Sequence, residues 1–324
     1  MRYTDLHCDT LMKAFFEGRK SLYEIEDGMF RPAAFRRADG LLQFFAVYFP
    51  PHNERYPGLP EDLVYFKENR QIFLRTMEDP SGEFQKVTSV VDYRNLLASG
   101  RMGGLLTIED GKAVEGRMEQ LDAFFEQDVR LISLTWNFEN CFGFPNSKDQ
   151  AVMERGLKPF GKEAVERMNE IGMLVDVSHL SDGGFRDVAD ISRVPFVASH
   201  SNCRALAPHP RNLTDEMIRR LAERGGVMGL NVAPSFVDPN PSNPVSNAAL
   251  LAKHARHAAD VGGVDIVAVG TDFDGTWGQI EIDTPERMEL LWDSLKKEGF
   301  TEQEIEKIAW KNAERVLLEV LPEK

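Results

Sequence analysis

The chain has 324 residues, a net charge of −14 and 42% hydrophobic residues, ample for a large core. That acidity, with no clustered basic segment, excludes nucleic acid and anionic lipid as natural partners. Three widely spaced cysteines, Cys8, Cys141 and Cys203, form no CxxC pair, which excludes a disulfide framework and fits a reducing cytoplasm. No apolar run approaches the roughly 20 residues of a membrane helix, and the opening residues, with Asp5 and His7, do not read as a signal peptide.

The first predicted element is a strand over 3–8, inside "RYTDLHCDTL". A strand over 41–49 follows, then a proline-rich segment, 49–62, too long for a minimal connection and read as a lid or an insertion. Apolar residues at helical spacing predict a helix over 61–78. Strands over 104–108, 129–135, 173–177 and 195–198 come next, with helices over 118–128 and 161–172 among them. The helix over 213–226 opens on a threonine cap with acids in its first turn and ends in glycine. A strand over 226–232, a second long segment (233–246), a helix over 247–263 and a strand over 265–269 complete the pattern, and helices over 285–298 and 301–321 close the chain.

Eight strands alternating with helices imply parallel pairing through helical crossovers. The expected fold is α/β, a single (β/α)8 TIM-like barrel domain across residues 1–324 with C-terminal helices. A doubly wound open sheet is the structural alternative, but no GxGxxG follows the first strand.

Polar residues cluster at the C-terminal ends of these strands. His7 and Asp9 lie two apart, on one side of a strand. A bare HxD is common, and a hydrogen-bonded core pair would explain it alone. However, Glu109 ends "LLTIEDG", His179 "MLVDVSHLS", His200 "VPFVASHSN" and Asp272 "DIVAVGTDFDG". In a barrel those ends converge on one face, where active sites are built. Burying so many ionisable groups is costly unless something compensates. Three histidines and two carboxylates are too many for one tetrahedral metal. They suit two metals sharing a bridging carboxylate, roughly 3.5–4 Å apart. The donor mixture fits Zn²⁺ best, with Mn²⁺, Co²⁺ or Fe²⁺ as alternatives. Asp272, a carboxylate without an essential ligand role, suits general base then general acid work.

The series "DLHCDT", "IEDG", "VDVSHLS", "ASHSNCRAL", "HPRN" and "GTDFDG", in this order, resembles the membrane (renal) dipeptidase family of zinc peptidases, barrel enzymes of amidohydrolase type. The resemblance implies that His7 and Asp9 bind one zinc, that His179 and His200 bind the other, and that Glu109 bridges them. It implies Asp272 as proton carrier and Arg211 of "HPRN" as a contact for a substrate carboxylate, and the expected nucleophile is a hydroxide between the metals. Its members cleave dipeptides, often with a D-residue at the C-terminal side, and some open carbapenem-type β-lactams. The mammalian enzymes carry a histidine after the fourth strand, where "LISLTWNFEN" has Trp136, then Asn137. An altered specificity is the expected consequence, with Trp136 and Asn137 as candidate substrate contacts. The secretion and C-terminal anchor signals of the mammalian enzymes are not expected here, so a soluble, cytoplasmic protein is expected, with a small dipeptide as substrate, no membrane partner and a homodimer by resemblance. The functional alternatives are another two-metal amidohydrolase, acting on lactones or cyclic amides, and a metal-binding relative that has lost catalysis.

Other residues carry simpler readings. Cys8 points away from His7 and Asp9 as a buried hydrophobe, and Cys203 is a packing residue. His254 and His257 share a helix face and are read as partly exposed and structural. His52 and His209 sit in proline-rich loops. Asp176 is expected to make structural hydrogen bonds, and Asp274 to order the turn after the last strand.

Overall fold

The computed structural model describes residues 1–56, 58–80 and 82–324. Its eleven strands are β1 (Tyr3–Cys8), β2 (Gly40–Tyr48), β3 (Phe84–Lys86), β4 (Met102–Glu109), β5 (Val129–Ser133), β6 (Leu174–Asp176), β7 (Val197–Ala198), β8 (Val227–Leu230), β9 (Val245–Ser246), β10 (Val267–Val269) and β11 (Gln279–Ile280). Strands β1, β2, β4, β5, β6, β7, β8 and β10 pair in parallel, each with the next, and β10 returns to β1 through Asp5 and Val269. The ring is therefore a closed eight-stranded barrel with helices between its strands, the expected (β/α)8 architecture. All eight predicted strands are present.

The interior follows from the period-two alternation of strands. Leu6, Phe44, Leu105, Leu131, Leu174, Val197, Val227 and Ala268, one from each barrel strand, belong to one apolar cluster. Only the inside of the barrel lets eight strands meet in this way. Ala313, Val316, Leu317 and Val320 of the C-terminal helix (Asn312–Val320) join that cluster. Asn312 also donates to the carbonyls of Val264 and Val267, at the entrance to β10, so this helix closes the N-terminal end of the barrel. The opposite strand faces, such as Phe45, Leu106, Ile132, Val175, Met228 and Val267, pack with the surrounding helices in the larger cluster.

Two residues further along six of these strands stand Thr107, Ser133, Asp176, Ser199, Gly229 and Gly270, all on the interior face. The layer is small and polar, and it separates the apolar floor from the mouth. Gly229 and Gly270 are required here: their Cα atoms lie close together, and a Cβ on either would collide with the Ser199 carbonyl.

Several boundaries differ from expectation. Glu109 is the last residue of β4 rather than one past it, in register with Tyr48. Val264–Ile266 forms a 3-10 turn, so the eighth barrel strand starts at Val267. The final helix is broken by a π-turn over Lys307–Lys311. Strand β3 flanks the start of β4, in the place β5 takes from Leu106 onward. With three residues it is too short for an alternating pattern. Helices Thr10–Phe16, Pro32–Arg37, Val90–Ser99 and Asp182–Ile191 were not among the predicted elements. Thr214 caps helix Asp215–Glu223 as expected, its hydroxyl accepting from the Met217 amide at 3.2 Å.

Both long segments end up over the mouth. The segment after β2 brings Arg55 and Tyr56 to the cleft, and the segment after β8 brings Phe236 and Pro244. Strands β9 and β11 pair with each other, which stitches the segment after β8 to the one after β10.

Candidate metal centre

The strand ends gather His7, Asp9, Glu109, His179, His200 and Asp272 in one buried cluster. Glu109 stands in its middle. Its Oε2 faces His7 Nε2 at 3.6 Å, while its Oε1 faces His179 Nε2 at 2.9 Å and His200 Nε2 at 3.5 Å. Asp9 Oδ2 lies 3.6 Å and Asp272 Oδ1 3.9 Å from the same His7 nitrogen. The rings of His7 and His200 stack with centroids 3.8 Å apart. His179 and Asp272 both have left-handed backbones, φ 68° and 66°, a conformation that concentrates at functional sites.

The hydrogen bonds assign the imidazole protons. Ser199 Oγ has one proton, and at 2.6 Å it goes to Asp176 Oδ2. Towards His200 Nδ1, 2.7 Å away, the same oxygen must therefore accept, so His200 carries its proton on Nδ1. Ser178 Oγ completes the chain, accepting from the His200 amide at 3.1 Å and donating to Ser199 Oγ at 3.3 Å. Asp176 is saturated: it also accepts from Ser133 Oγ and from the amides of Ser178 and Ser199. His179 Nδ1 faces Asn137 Oδ1 at 3.1 Å, which puts a proton on Nδ1 there too. Burial, followed by the positive charges of Arg211 and His7, holds both imidazoles neutral, well below the ordinary histidine range. Both Nε2 atoms are then bare lone pairs, 3.1 Å apart and aimed at the same Glu109 oxygen.

Such a convergence of acceptors calls for a cation. Among the described residues, neither His7 nitrogen nor Asp9 Oδ1 finds a hydrogen-bond partner, although all three are buried. Burial opposes a charged His7, yet the carboxylates of Glu109 and Asp9 outweigh it and hold that imidazole well above its ordinary range. Burial and the Asp9 charge push Glu109 up to about 8. Asp272 is pushed up to about 7, by burial first, with His7 opposing and Asp9 adding to it. The donor set thus fits divalent metal: His7, Glu109 and His200 form one compact triad of ligand atoms, and His7, Asp9 and Asp272 form another. Asp272 sits closer to the ligand set than its sequence role implied.

Two further residues support the site. Asn231 Nδ2 donates to Asp272 Oδ2 at 3.0 Å and to the His200 carbonyl at 3.2 Å. It was not singled out in the sequence, but it lies two residues beyond Gly229 on the interior face, where counting by twos along β8 finds it. Gly275 packs so closely that a Cβ there would collide with the carboxylates of Asp9 and Asp272.

The remaining sequence candidates fall into distinct places. Trp136 packs edge-on against Tyr48, centroids 4.9 Å apart, and both line the cleft. Asn137 lines it too while holding His179. Arg211 is buried behind His200. It donates to the His200 carbonyl and to Ser201 Oγ, each at 3.1 Å, and among the described residues it is not part of the cleft wall. Its Nε finds no partner there. Asp274 accepts from Thr10 Oγ1 and from the amides of Met29 and Phe30, ordering the turn and tying it to the first helix. His254 corrects an expectation: it is fully buried, accepting from the Cys203 amide and reaching the Val237 carbonyl, each at 3.0 Å. His257 pairs with Asp215, and His52 with Asp62.

A closed (β/α)8 barrel whose mouth gathers histidines and carboxylates around a central glutamate has the architecture of a metal-dependent hydrolase. The family model for membrane dipeptidase, peptidase family M19, matches residues 1–322, and the chain belongs to that family. It is a metallopeptidase-family dipeptidase. An uncharacterised Klebsiella pneumoniae protein from the pqqA 5′ region is 30% identical over 274 residues, 82% of this chain and 98% of its own. The dipeptidase tcpJ of Claviceps purpurea is 29% identical over 248 residues, 76% of this chain but 57% of its own length. Among solved structures, a family M19 metallopeptidase described as dipeptidase AC superposes with a TM-score of 0.88 at 25% identity, covering 99% of both chains. A Rhodobacter sphaeroides metallopeptidase bound to a phosphinate mimic of L-Ala-D-Ala shares the fold, with a TM-score of 0.87, 24% identity and 99% of both chains covered. No described helix is long and apolar enough to cross a membrane.

Proposed function

We propose that this chain is a two-zinc dipeptidase. The observation that carries the reading is the split placement of Glu109, one oxygen toward His7 and the other toward His179 and His200. In that arrangement His7 and Asp9 would hold one Zn²⁺, His179 and His200 the other, and Glu109 both. When bound, the cations would polarise the scissile carbonyl and make water a nucleophile at neutral pH.

The rest belongs to the protein. The cleft has a volume of about 590 Å³, enough for a dipeptide with large side chains. Trp136, Tyr48 and Met12 give it apolar walls that exclude bulk water from the reacting bond. Asn231 holds Asp272 Oδ2, leaving Oδ1 turned to the cluster at the cleft floor. From there Asp272 takes the proton of the attacking water and returns it to the departing amine. Asn137 and Ser199 keep the Nε2 lone pairs of His179 and His200 directed inward.

The experiment is a turnover panel of L,L- and L,D-dipeptides, lactones and hydantoins on protein whose metal has been counted. Dipeptide hydrolysis with two Zn²⁺ per chain is the expected result. Turnover confined to lactones or hydantoins would replace the reading with another amidohydrolase activity. Fully loaded protein that turns over nothing would make it a non-catalytic relative.

A further inference from the structure

The ring of His179 is held from two sides. Its Nε2 faces Glu109 Oε1 at 2.9 Å, and its Nδ1 faces Asn137 Oδ1 at 3.1 Å. The two holders come from different parts of the chain, Glu109 from the end of β4 and Asn137 from the loop after β5. A clamp of this kind orients the imidazole only if the distance between its jaws is itself fixed.

Asp110, the residue after Glu109, ties the jaws together. Its buried carboxylate accepts at Oδ1 from Asn140 Nδ2 at 2.7 Å and from the Lys112 amide at 3.1 Å. Asn140 is the hub of the loop after β5. Its Nδ2 also donates to the Leu134 carbonyl at 2.8 Å, closing the loop that carries Asn137. Its Oδ1 accepts from the amides of Phe142 and Gly143 at 2.8 and 3.4 Å, so every hydrogen-bonding position of that side chain is used. Glu109, Asp110, Asn140, Asn137 and His179 thus form a closed circuit of covalent chain and hydrogen bonds. The backbone of His179 is fastened separately, its carbonyl accepting from the Asn146 amide at 2.7 Å and from Asn146 Nδ2 at 3.1 Å. What the circuit sets is the ring.

Asp110 keeps its place against two costs. Its backbone, at φ 74° and ψ 100°, is left-handed and strained for a residue with a side chain. Its carboxylate also gives up water on burial. Glycine would relieve both and lose the contact with Asn140.

We infer that Asp110 is a positioning residue: through Asn140 it sets the clamp on His179, and with it how tightly a cation is held by His179, His200 and Glu109. The inference rests on the two-zinc reading above.

The test compares wild type with Asp110→Gly, Asp110→Ser, Asp110→Asn and Asn137→Ala. Zinc is titrated in competition with a chelator, and the ¹⁵N shifts of the His179 ring are read on metal-free protein. Asp110→Gly binds one of the two equivalents about 10- to 100-fold more weakly, with a much smaller change in the other, and its His179 no longer keeps the proton on Nδ1 alone. Asp110→Ser retains an acceptor for the Lys112 amide but falls short of Asn140, so it repeats the loss with the turn still capped. Asn137→Ala removes one jaw and gives the same pattern. Asp110→Asn keeps an acceptor oxygen for Asn140 and restores most of the affinity. Three results overturn the inference: a loss shared equally by both equivalents, wild-type affinity with unchanged His179 shifts in Asp110→Gly, or a loss as large in Asp110→Asn as in Asp110→Gly. A wild type that binds fewer than two equivalents, or cleaves no dipeptide, instead removes the two-zinc reading, while the shifts of metal-free His179 still judge the clamp.

Discussion

Asp272 has one oxygen fixed by Asn231 and the other turned toward His7, so its geometry survives an exchange of carboxylate for amide. Asp272→Asn is expected to keep the metal content while losing roughly 10²- to 10⁴-fold in kcat, since the amide cannot accept the proton. Metal analysis alongside steady-state kinetics checks it, and normal turnover would remove the proton role. Ser199 acts at one remove. Without its hydroxyl, nothing fixes the His200 proton on Nδ1, and Asp176 loses a donor. Ser199→Ala should weaken metal binding by about 10- to 100-fold. Competition with a chromophoric chelator reads this directly, and the ¹⁵N shifts of His200 in metal-free protein report the tautomer. An unchanged affinity would reduce Ser199 to a packing residue.

At the scale of elements, the barrel brings β7, β8 and β10 unusually close. Gly229 and Gly270 allow it, and a Cβ at Gly270 would meet only backbone, the Ser199 carbonyl and the Gly229 Cα. Gly270→Ala should cost roughly 1–3 kcal/mol of stability, read by chemical denaturation, and should disturb His200 as the adjoining residue. The helix Ala248–Gly262 is anchored differently, through His254. Burial lowers its imidazole to about 4 from the ordinary 6.5, and the Cys203 amide at Nδ1 leaves no room for a second proton. A folded-state value below the unfolded one means that the unfolded chain binds the proton more readily. This contribution is therefore complete above about pH 6.5 and drains away as the pH falls toward 4. Between pH 7 and pH 5 it amounts to about 2 kcal/mol. Urea denaturation at both values should show that slope in the wild type and lose it in His254→Gln; an identical slope in the variant would place the acid sensitivity elsewhere.

For the whole molecule, the same cluster that would perform the chemistry opposes folding when its charges lack a counterion. Glu109, Asp9 and Asp272 are all buried around His7. Chelation should therefore abolish turnover and also lower the melting temperature, by the equivalent of about 4 kcal/mol if the metal was present at a thousand times its dissociation constant. Added Zn²⁺ should restore both. A chelated protein that melted where the loaded one does would show that the cluster does not bind metal in the folded state.

The eight barrel strands, the barrel class and the polar residues that gather at the strand ends were all readable in the sequence. Each is a local property: an apolar run of the right length, followed by a polar residue where the run stops. Asn231 was within reach of the same logic, since it lies on the interior parity of β8. His179 and His200 break that parity, and their shared aim at Glu109 depends on a left-handed turn at His179 and on the hydroxyl chain behind His200, neither of which spacing encodes. The short strands β3, β9 and β11 have too few residues for a pattern and exist because a neighbour is there to pair with. The fate of the arginines was likewise a matter of packing. Nothing in the order of residues says that Arg211 ends against the His200 carbonyl while Arg55 reaches the cleft, because both outcomes depend on surfaces brought together from distant parts of the chain. Short-range patterning determined what this protein is built from and where its chemistry gathers; the closure of the ring determined which atoms face one another, since distances between remote segments are set only when the whole barrel has formed.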